Sequence, residues 1–198
     1  RPVPGQPWYE GLEIKEKPEP EVSQLSDVKI KVMAASICGT DVSIYKGTQA
    51  LRDSMAGNEA DEVILGHEFS GVIVDAGKEA KKAIVDKLYS QTFDNPEIKA
   101  FLNSHKKEDL LEGQELLPFL KDNFYVSAEM HIVCWQCRQC KLGEGHVCQN
   151  TRIKGLHQDG AFAEYVVVPA SNLPLFEKNE IPLEIIAFMD AIGNAVHT

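Results

Sequence analysis

The sequence lacks any apolar run long enough to cross a membrane, and it is poor in basic residues. Its longest apolar stretches, such as YVVVP at 165–169, are far shorter than the roughly 18 residues that a transmembrane helix needs. The opening residues, RPVPGQPWYEG, lack the basic and then apolar pattern of a secretory signal. The formal net charge is -10, whereas nucleic-acid binders usually carry a basic patch. We therefore expect a cytoplasmic protein that binds neither a membrane nor nucleic acid.

Cysteine is also scarce, and four of the five cysteines are crowded into residues 134–148. An odd, clustered set suits an intracellular metal site better than a secreted disulfide framework. The spacing C-x2-C-x2-C-x7-C lets four thiolates face one tetrahedral zinc ion and fill its coordination shell. An iron–sulfur cluster is the alternative, but the bacterial ferredoxin pattern continues differently after its third cysteine. The sequence predicts a zinc-binding lobe of structural function, with the ligands Cys134, Cys137, Cys140 and Cys148.

The fifth cysteine has potential partners elsewhere in the chain. Cys38 lies in AASICGTDVSIY, and His67 and Glu68 lie in VILGHEFSGVIV, between two short apolar segments. Taken singly, Cys38 would be interpreted as a small buried apolar residue, His67 as a turn histidine and Glu68 as a solvated charge. Together, a thiolate, an imidazole and a carboxylate form a three-ligand set that leaves one position on zinc open, which is the arrangement of catalytic sites.

Several segments have the pattern of short strands. In VKIKV at 28–32, the valines and the isoleucine alternate with two lysines, which is the period of a half-buried strand. EFSGVIVDAG, NFYVSAE and AFAEYVVVP are further candidates, rich in β-branched and aromatic residues. Short strands separated by Gly and Pro indicate a mainly β fold, a small antiparallel barrel.

Six segments resemble, in chain order, landmarks of the zinc-dependent medium-chain alcohol dehydrogenase family. They are SICGTDVSIYKG, GHEFSGVI, SAEMHIVCWQCRQC, GEGHVCQNT, GAFAEYVVVP and DAIGNAVHT. The resemblance is closest to the threonine dehydrogenase branch, with sorbitol and related polyol dehydrogenases next. It implies a GroES-like antiparallel β-barrel, and NAD-dependent oxidation of a small-molecule secondary alcohol, either L-threonine to 2-amino-3-oxobutanoate or a related polyol.

The resemblance also implies a metal role for four residues. Cys38, His67 and Glu68 fall where family members hold the catalytic zinc, and Glu68 is the ligand that can give way when substrate enters. Asp190 falls where related enzymes place a Cys, Glu or Asp beside that zinc, so it is a fourth ligand or a neighbour of the ligands.

Two further residues acquire roles in the reaction from the same resemblance. Thr40 matches the hydroxyl position that passes the substrate proton outward, and His131 matches a histidine that lies near the substrate and influences its selection. Ser43 departs from the branch, which usually has His there, so proton relay through that position is not expected to follow the family.

The sequence contains no G-x-G-x-x-G turn, which is the phosphate-binding signature of a Rossmann domain. We therefore expect residues 1–198 to form the GroES-like catalytic domain of a longer enzyme, with 180–198 starting the connection to a nucleotide-binding domain. NAD would bind only with that domain, and the 198-residue chain alone would be inactive. A catalytically silent zinc-binding module is the alternative from another class, and a homo-oligomer is compatible with either.

Residues 82–121 depart most from the family pattern. Asn95-Pro96 has the form of a helix start, and Leu110, Leu111, Leu116, Leu117 and Leu120 are spaced for another helix. We interpret this interval as a helical insertion. A surface decoration is the simplest function for it, and a cofactor lid or an oligomer contact are the alternatives.

Overall fold

The computed structural model describes residues 12–56, 58 and 62–197. Its strands form a five-stranded antiparallel sheet, in the order β6-β1-β2-β3-β7, and a separate two-stranded sheet, β4-β5. The strands are β1 (Asp27–Ser36), β2 (Glu68–Ala76), β3 (Phe124–Val126), β4 (His131–Ile132), β5 (Arg152–Ile153), β6 (Tyr165–Pro169) and β7 (Leu175–Glu177).

Helices cover more of the described chain than strands do, so the fold is less dominated by strands than the sequence pattern indicated. Within the described residues, no helix is long and apolar enough to cross a membrane. The helices are α1 (Gly39–Lys46), α2 (Gln49–Ala56), α3 (Lys78–Ser90), α4 (Pro96–Ser104), α5 (Lys107–Glu112), α6 (Leu116–Asn123), α7 (Arg138–Lys141), α8 (Leu183–Ile186) and α9 (Met189–His197).

The strand predicted from VKIKV is confirmed and is longer than that motif. Val28 and Ile30 of β1 are fully buried, while the alternate residue Lys31 is exposed. β1 pairs with β2 from Val28 to Ser36, but with two register shifts. Val74 of β2 and Met33 of β1 each lack a partner, so the shifts cancel and the two strands end in the register in which they began.

The large sheet is open at both edges, and the closed barrel expected from the sequence is wrong for the described strands. β6 lies at one edge and β7 at the other, and no ladder joins them. β6 ends at Pro169, which has no N–H to continue a ladder, and a 3-10 turn over Ala170–Asn172 follows at once. The link from β6 to β7 is only five residues, which reach about 20 Å at most, so the two edge strands follow each other closely in the chain although no ladder joins them.

Helices α3 to α6 cover one face of the sheet and share its core. Asn95 caps α4, because its side-chain oxygen accepts the Glu97 N–H at 2.8 Å, as the sequence predicted. The leucines expected to form one helix lie instead in two short ones, α5 and α6, separated by residues 113–115. Leu110, Leu116 and Leu120 are at most 1% exposed and pack in the same cluster as the sheet residues.

Candidate metal centres

Four cysteine sulfurs converge in the lobe between β4 and β5. Their Sγ atoms all lie within 4.8 Å of one another, and none forms a disulfide. The Cys137–Cys140 and Cys134–Cys148 Sγ distances are 3.4 and 3.6 Å. A tetrahedron with Zn–S bonds of about 2.3 Å has edges of about 3.8 Å. The spacing of the sulfurs therefore fits a single tetrahedral zinc ion without a large rearrangement.

Backbone N–H groups of the lobe point at the sulfurs. Gln136 N and Cys137 N donate to Cys134 Sγ at 3.5 and 3.3 Å, and these two hydrogen bonds are the main reason that the pKa of the Cys134 thiol falls to about 6. Hydrogen bonds that favour a thiolate also favour metal binding, since the thiolate is the ligand. The turn requires a left-handed residue, and that residue is Trp135, with φ 54°.

The second set unites the fifth cysteine with the two residues after the Gly66 turn. Ligand atoms of Cys38, His67 and Glu68 all lie within 4.8 Å of one another. Cys38 follows the end of β1 and precedes α1, while His67 and Glu68 stand at the start of β2, so the antiparallel pairing of β1 and β2 brings them together. His67 and Glu68 are only 8% and 5% exposed.

A buried carboxylate contacts two members of this set. Asp41 Oδ2 accepts the Cys38 N–H at 2.9 Å, and Asp41 Oδ1 faces His67 Nδ1 at 3.8 Å. Oδ1 is buried and has no hydrogen-bond partner among the described residues. A carboxylate behind one ring nitrogen of a histidine orients the ring and leaves the other nitrogen free for a metal. The unpaired oxygen and the mixture of donors therefore fit a metal ion at this set.

Close backbone packing places the turn before His67. Gly66 has φ +88°, a conformation that favours glycine, and its carbonyl accepts the Ala161 N–H at 2.9 Å. A Cβ on Gly160 would lie 2.1 Å from that same carbonyl oxygen. The segment before His67 thus packs directly against the backbone around residue 161. A side chain at position 160 would push the two segments apart.

A third group of side chains lies beside the second set. Ligand atoms of Glu129, His131 and Asp190 are within 4.8 Å of one another, and Glu129 Oε1 lies 2.6 Å from His131 Nδ1. Asp190 is therefore grouped with these two residues, although its charge is also near enough to His67 and Glu68 for those groups to affect its pKa. The predicted fourth-ligand role of Asp190 remains a prediction.

Hydrogen bonding and burial set the protonation of this third group. The Glu129 hydrogen bond raises the pKa of His131, and the same bond lowers the pKa of Glu129. Burial, and then the charge of Glu129, raise the pKa of Asp190. About half of the His131 side chain is exposed to solvent. This partly exposed group therefore combines two carboxylates with a readily protonated imidazole.

Thr40 lies next to the second set, and three other residues there were not identified from the sequence. Thr40 Oγ1 is 3.7 Å from Cys38 Sγ. Asp41 could have been found, because an acidic residue three positions after a helix cap is a known capping pattern. Glu129 lies in the third group, two residues before His131 and outside any strand, and has no such signal. Ser36, whose hydroxyl donates to Glu68 Oε2, has no comparable signal, because its role depends on cross-strand register.

Comparison with known proteins identifies several similar chains. The model of the alcohol dehydrogenase GroES-like domain matches residues 24–91 and 122–178. An L-threonine 3-dehydrogenase from Caldanaerobacter subterraneus subsp. tengcongensis is 38% identical over 189 residues, which are 96% of this chain and 42% of that protein. The chain thus spans about two fifths of the length of that relative.

Two solved structures have a related fold. Galactitol-1-phosphate dehydrogenase from Escherichia coli is 25% identical, with a TM-score of 0.58 over 93% of this chain and 40% of that one. A Sinorhizobium meliloti 1021 protein whose structure contains bound NADP is 28% identical, with a TM-score of 0.51 over 86% of this chain and 36% of that one. The family model leaves residues 92–121 unmatched, within the interval singled out in the sequence.

Proposed function

Since this chain belongs to the alcohol dehydrogenase GroES-like domain family, we propose that it supplies the metal and alcohol sites of a zinc-dependent alcohol dehydrogenase. The observation that carries the proposal is the convergence of Cys38, His67 and Glu68, with ligand atoms within 4.8 Å of one another. Three protein ligands leave a fourth position for substrate, unlike the closed set of four cysteines.

The chain's own residues would hold the ion and manage the proton. Cys38, His67 and Glu68 would bind zinc, and Asp41 would orient the His67 ring. When bound, zinc acts as a Lewis acid that lowers the pKa of a hydroxyl group placed at its open position. The Thr40 hydroxyl, 3.7 Å from Cys38 Sγ, would relay the proton that the substrate alcohol loses, taking it up while passing its own hydroxyl proton outward to solvent.

For the substrate, L-threonine is the candidate that we favour. A relative with that activity in its name is 38% identical to this chain, and the group of Glu129, His131 and Asp190 offers both charge signs beside the metal set. Threonine carries an ammonium and a carboxylate next to its secondary alcohol, so both signs can be used. A polyol is the second candidate, because the fold is similar to that of galactitol-1-phosphate dehydrogenase.

Oxidation of an alcohol needs a hydride acceptor, and we propose a nicotinamide cofactor. A structurally similar protein binds NADP. The chain has no G-x-G-x-x-G turn, the phosphate-binding motif of a dinucleotide site, so we do not expect these 198 residues to hold the acceptor by themselves. The 198-residue chain by itself is accordingly expected to show no turnover with L-threonine and NAD.

The four-cysteine lobe would have a structural function. Its sulfurs would occupy all positions of a tetrahedral ion, so no position remains for a substrate. Metal analysis then distinguishes a catalytic chain from a silent zinc module. We expect two zinc ions per chain, and one per chain in Cys38→Ala. One ion in the unchanged chain, retained in Cys38→Ala and lost in Cys137→Ala, would refute the catalytic site and leave the silent module.

A further inference from the structure

The hydroxyl of Ser36 donates a hydrogen bond to Oε2 of Glu68 across the β1–β2 pair. We propose that Ser36 is a positioning residue, which holds one carboxylate oxygen of Glu68 so that Glu68 offers a single oxygen to the metal. This inference rests on the proposed function, since it assigns Ser36 a task at the Cys38, His67 and Glu68 set.

Strand register brings these two side chains together. Ser36 and Glu68 are directly opposed in the antiparallel pair, and directly opposed side chains have Cβ atoms about 4.5–5.5 Å apart. The pairing depends on the unpaired Met33. In the register of the preceding pairs, Val32 opposes Gly71, and continuing it would set Ser36 opposite His67 instead. The register shift at Met33 therefore selects which residue Ser36 meets.

Burial makes the contact important for the carboxylate. Glu68 is 5% exposed and Ser36 is 8% exposed, so water has little access to either side chain. A buried carboxylate without hydrogen bonds is strongly disfavoured. The Ser36 hydroxyl satisfies one oxygen and fixes the plane of the carboxylate. A ligand that is held in this way loses less freedom when it binds an ion.

The number of oxygens through which Glu68 binds the ion decides whether the ion keeps an open coordination position. A carboxylate that bound through both oxygens would add a fourth protein donor atom to Cys38 and His67, and would fill the position that a substrate needs. With one lone pair of Oε2 engaged by Ser36, Oε2 is the weaker donor, and the other oxygen is expected to bind the ion. Ser36 thus keeps the metal open to a substrate, and does so through Glu68 rather than by touching the substrate.

A metal titration of the 198-residue chain tests this. Co2+ affinity is measured by competition with a chromophoric chelator, and the absorption of the four-cysteine site, recorded in Cys38→Ala, is subtracted. In Ser36→Ala we expect about a 10-fold weaker affinity at the second site, as for other residues that support metal ligands, together with a changed Co2+ visible spectrum. Ser36→Thr keeps the hydroxyl and should restore both to the wild-type values.

Ser70→Ala is the matched control, because Ser70 is a fully buried serine of β2, the strand paired with β1, and its hydroxyl donates to Leu183 O at 2.7 Å. It should leave the Co2+ affinity and spectrum unchanged, and an unchanged far-ultraviolet circular dichroism spectrum reports that each variant is folded. Unchanged affinity in Ser36→Ala, or equal losses in the Ala and Thr variants, would overturn the role of Ser36. A single ion in the wild-type chain would instead overturn the proposed metal centre and this inference with it.

Discussion

Asp41 contacts His67 and Cys38 with its two carboxylate oxygens, one residue to each oxygen. Oδ1 lies 3.8 Å from His67 Nδ1, and Oδ2 accepts the Cys38 N–H at 2.9 Å. The carboxylate belongs to the first turn of α1, so the start of this helix and the start of β2 are tied to one side chain. A substitution of Asp41 should therefore change metal binding at Cys38, His67 and Glu68 more than it changes the stability of the sheet.

Asp41→Asn removes the negative charge behind His67 while keeping an acceptor for the Cys38 N–H. We expect Co2+ binding at the Cys38 set to weaken by about 10- to 100-fold, as for other carboxylates behind metal-binding histidines. Competition with a chelator measures this. Asp53→Asn, on the exposed helix α2, is the control. Equal affinities for Asp41→Asn and the wild type would show that Asp41 does not orient His67.

Gly160→Ala tests the close packing behind the Gly66 turn. The new Cβ would stand 2.1 Å from the backbone oxygen of Gly66, so the backbone has to move, at a cost of about 1–3 kcal/mol. Urea unfolding should show that loss, and the displaced turn should weaken metal binding. Gly193→Ala has nothing within 4 Å of its new Cβ and lies in α9. It should be neutral or slightly stabilising, and a similar loss there would remove the steric explanation.

Leu110→Ala tests whether the helices after β2 form an independent decoration. Leu110 is fully buried in the cluster that also contains Val28 and Ile30. We expect a loss of about 2–5 kcal/mol in the free energy of unfolding, as for other buried leucines, in a single transition shared with the sheet. Leu25→Ala, at a leucine that is 58% exposed, should change it by less than about 0.5 kcal/mol. Separate transitions for helices and sheet would contradict the shared core.

The hydrogen bonds and the burial of His157 predict that the folded protein loses stability in mild acid. Its Nδ1 accepts the Ile153 N–H at 3.0 Å and its Nε2 lies 2.9 Å from Ser54 Oγ. Burial, and then the charge of Arg152, lower the pKa of His157 from its ordinary value of 6.5. As the pH falls below 6.5, the unfolded chain therefore takes up a proton at His157 before the folded chain does. The free energy of unfolding is consequently highest above pH 6.5 and decreases as the pH approaches the lowered pKa of the folded protein.

The measurement is a comparison with His157→Asn, whose amide oxygen can accept from Ile153 but does not titrate. Between about pH 7.5 and about pH 5.5, the thermal midpoint of the wild type should fall further than that of the variant. Other acidic and basic groups contribute to both chains and cancel in the difference. Parallel curves would show that His157 titrates normally in the folded protein.

Removal of metal should affect the lobe far more than the sheet. No residue of 134–148 belongs to the main buried cluster of the described residues, so the sheet core does not depend on it. In a Trp8→Phe chain, Trp135 is the only tryptophan, and its fluorescence should change on chelation while the far-ultraviolet circular dichroism is largely kept. Cys38→Ala should give the same fluorescence change. Loss of the whole spectrum would mean that the lobe ion stabilises the entire fold.

Local patterns were sufficient to predict much of this structure. The alternation in VKIKV predicted strand β1, and the pair Asn95-Pro96 predicted the start of α4. The convergence of two candidate ligand sets could also be anticipated, since the spacing of the four cysteines is a local property, and Cys38, His67 and Glu68 are a known combination of donors; their metal roles stay predictions. Such features depend on residues close in sequence or on side-chain chemistry alone.

Features that depend on the joining of distant segments could not be predicted. The hydrogen bond from Ser36 to Glu68 exists only in one register of two strands, and that register is changed by Met33. Closure of the sheet likewise depends on whether its edge strands meet, and they do not within the described residues. The break between α5 and α6, by contrast, falls at Gly113, the C-cap of α5, which is a local stop signal that the sequence does contain.

The two unpaired residues of the β1–β2 pair have a consequence for how this protein can change in length. Val74 and Met33 lie on opposite strands, and each offsets the other by one position. Deletion of Met33 alone would place Val32 directly before Ala34, and these two residues already oppose the neighbouring residues Gly71 and Ser70, so Ser36 would still meet Glu68. Deletion of Val74 would likewise leave the pairs on both sides of it as they are now. Deletion of a paired residue, such as Ala34, would instead move the end of β1 by one position against β2. Single-codon losses should therefore be tolerated at the two unpaired positions and not at the paired positions beside them.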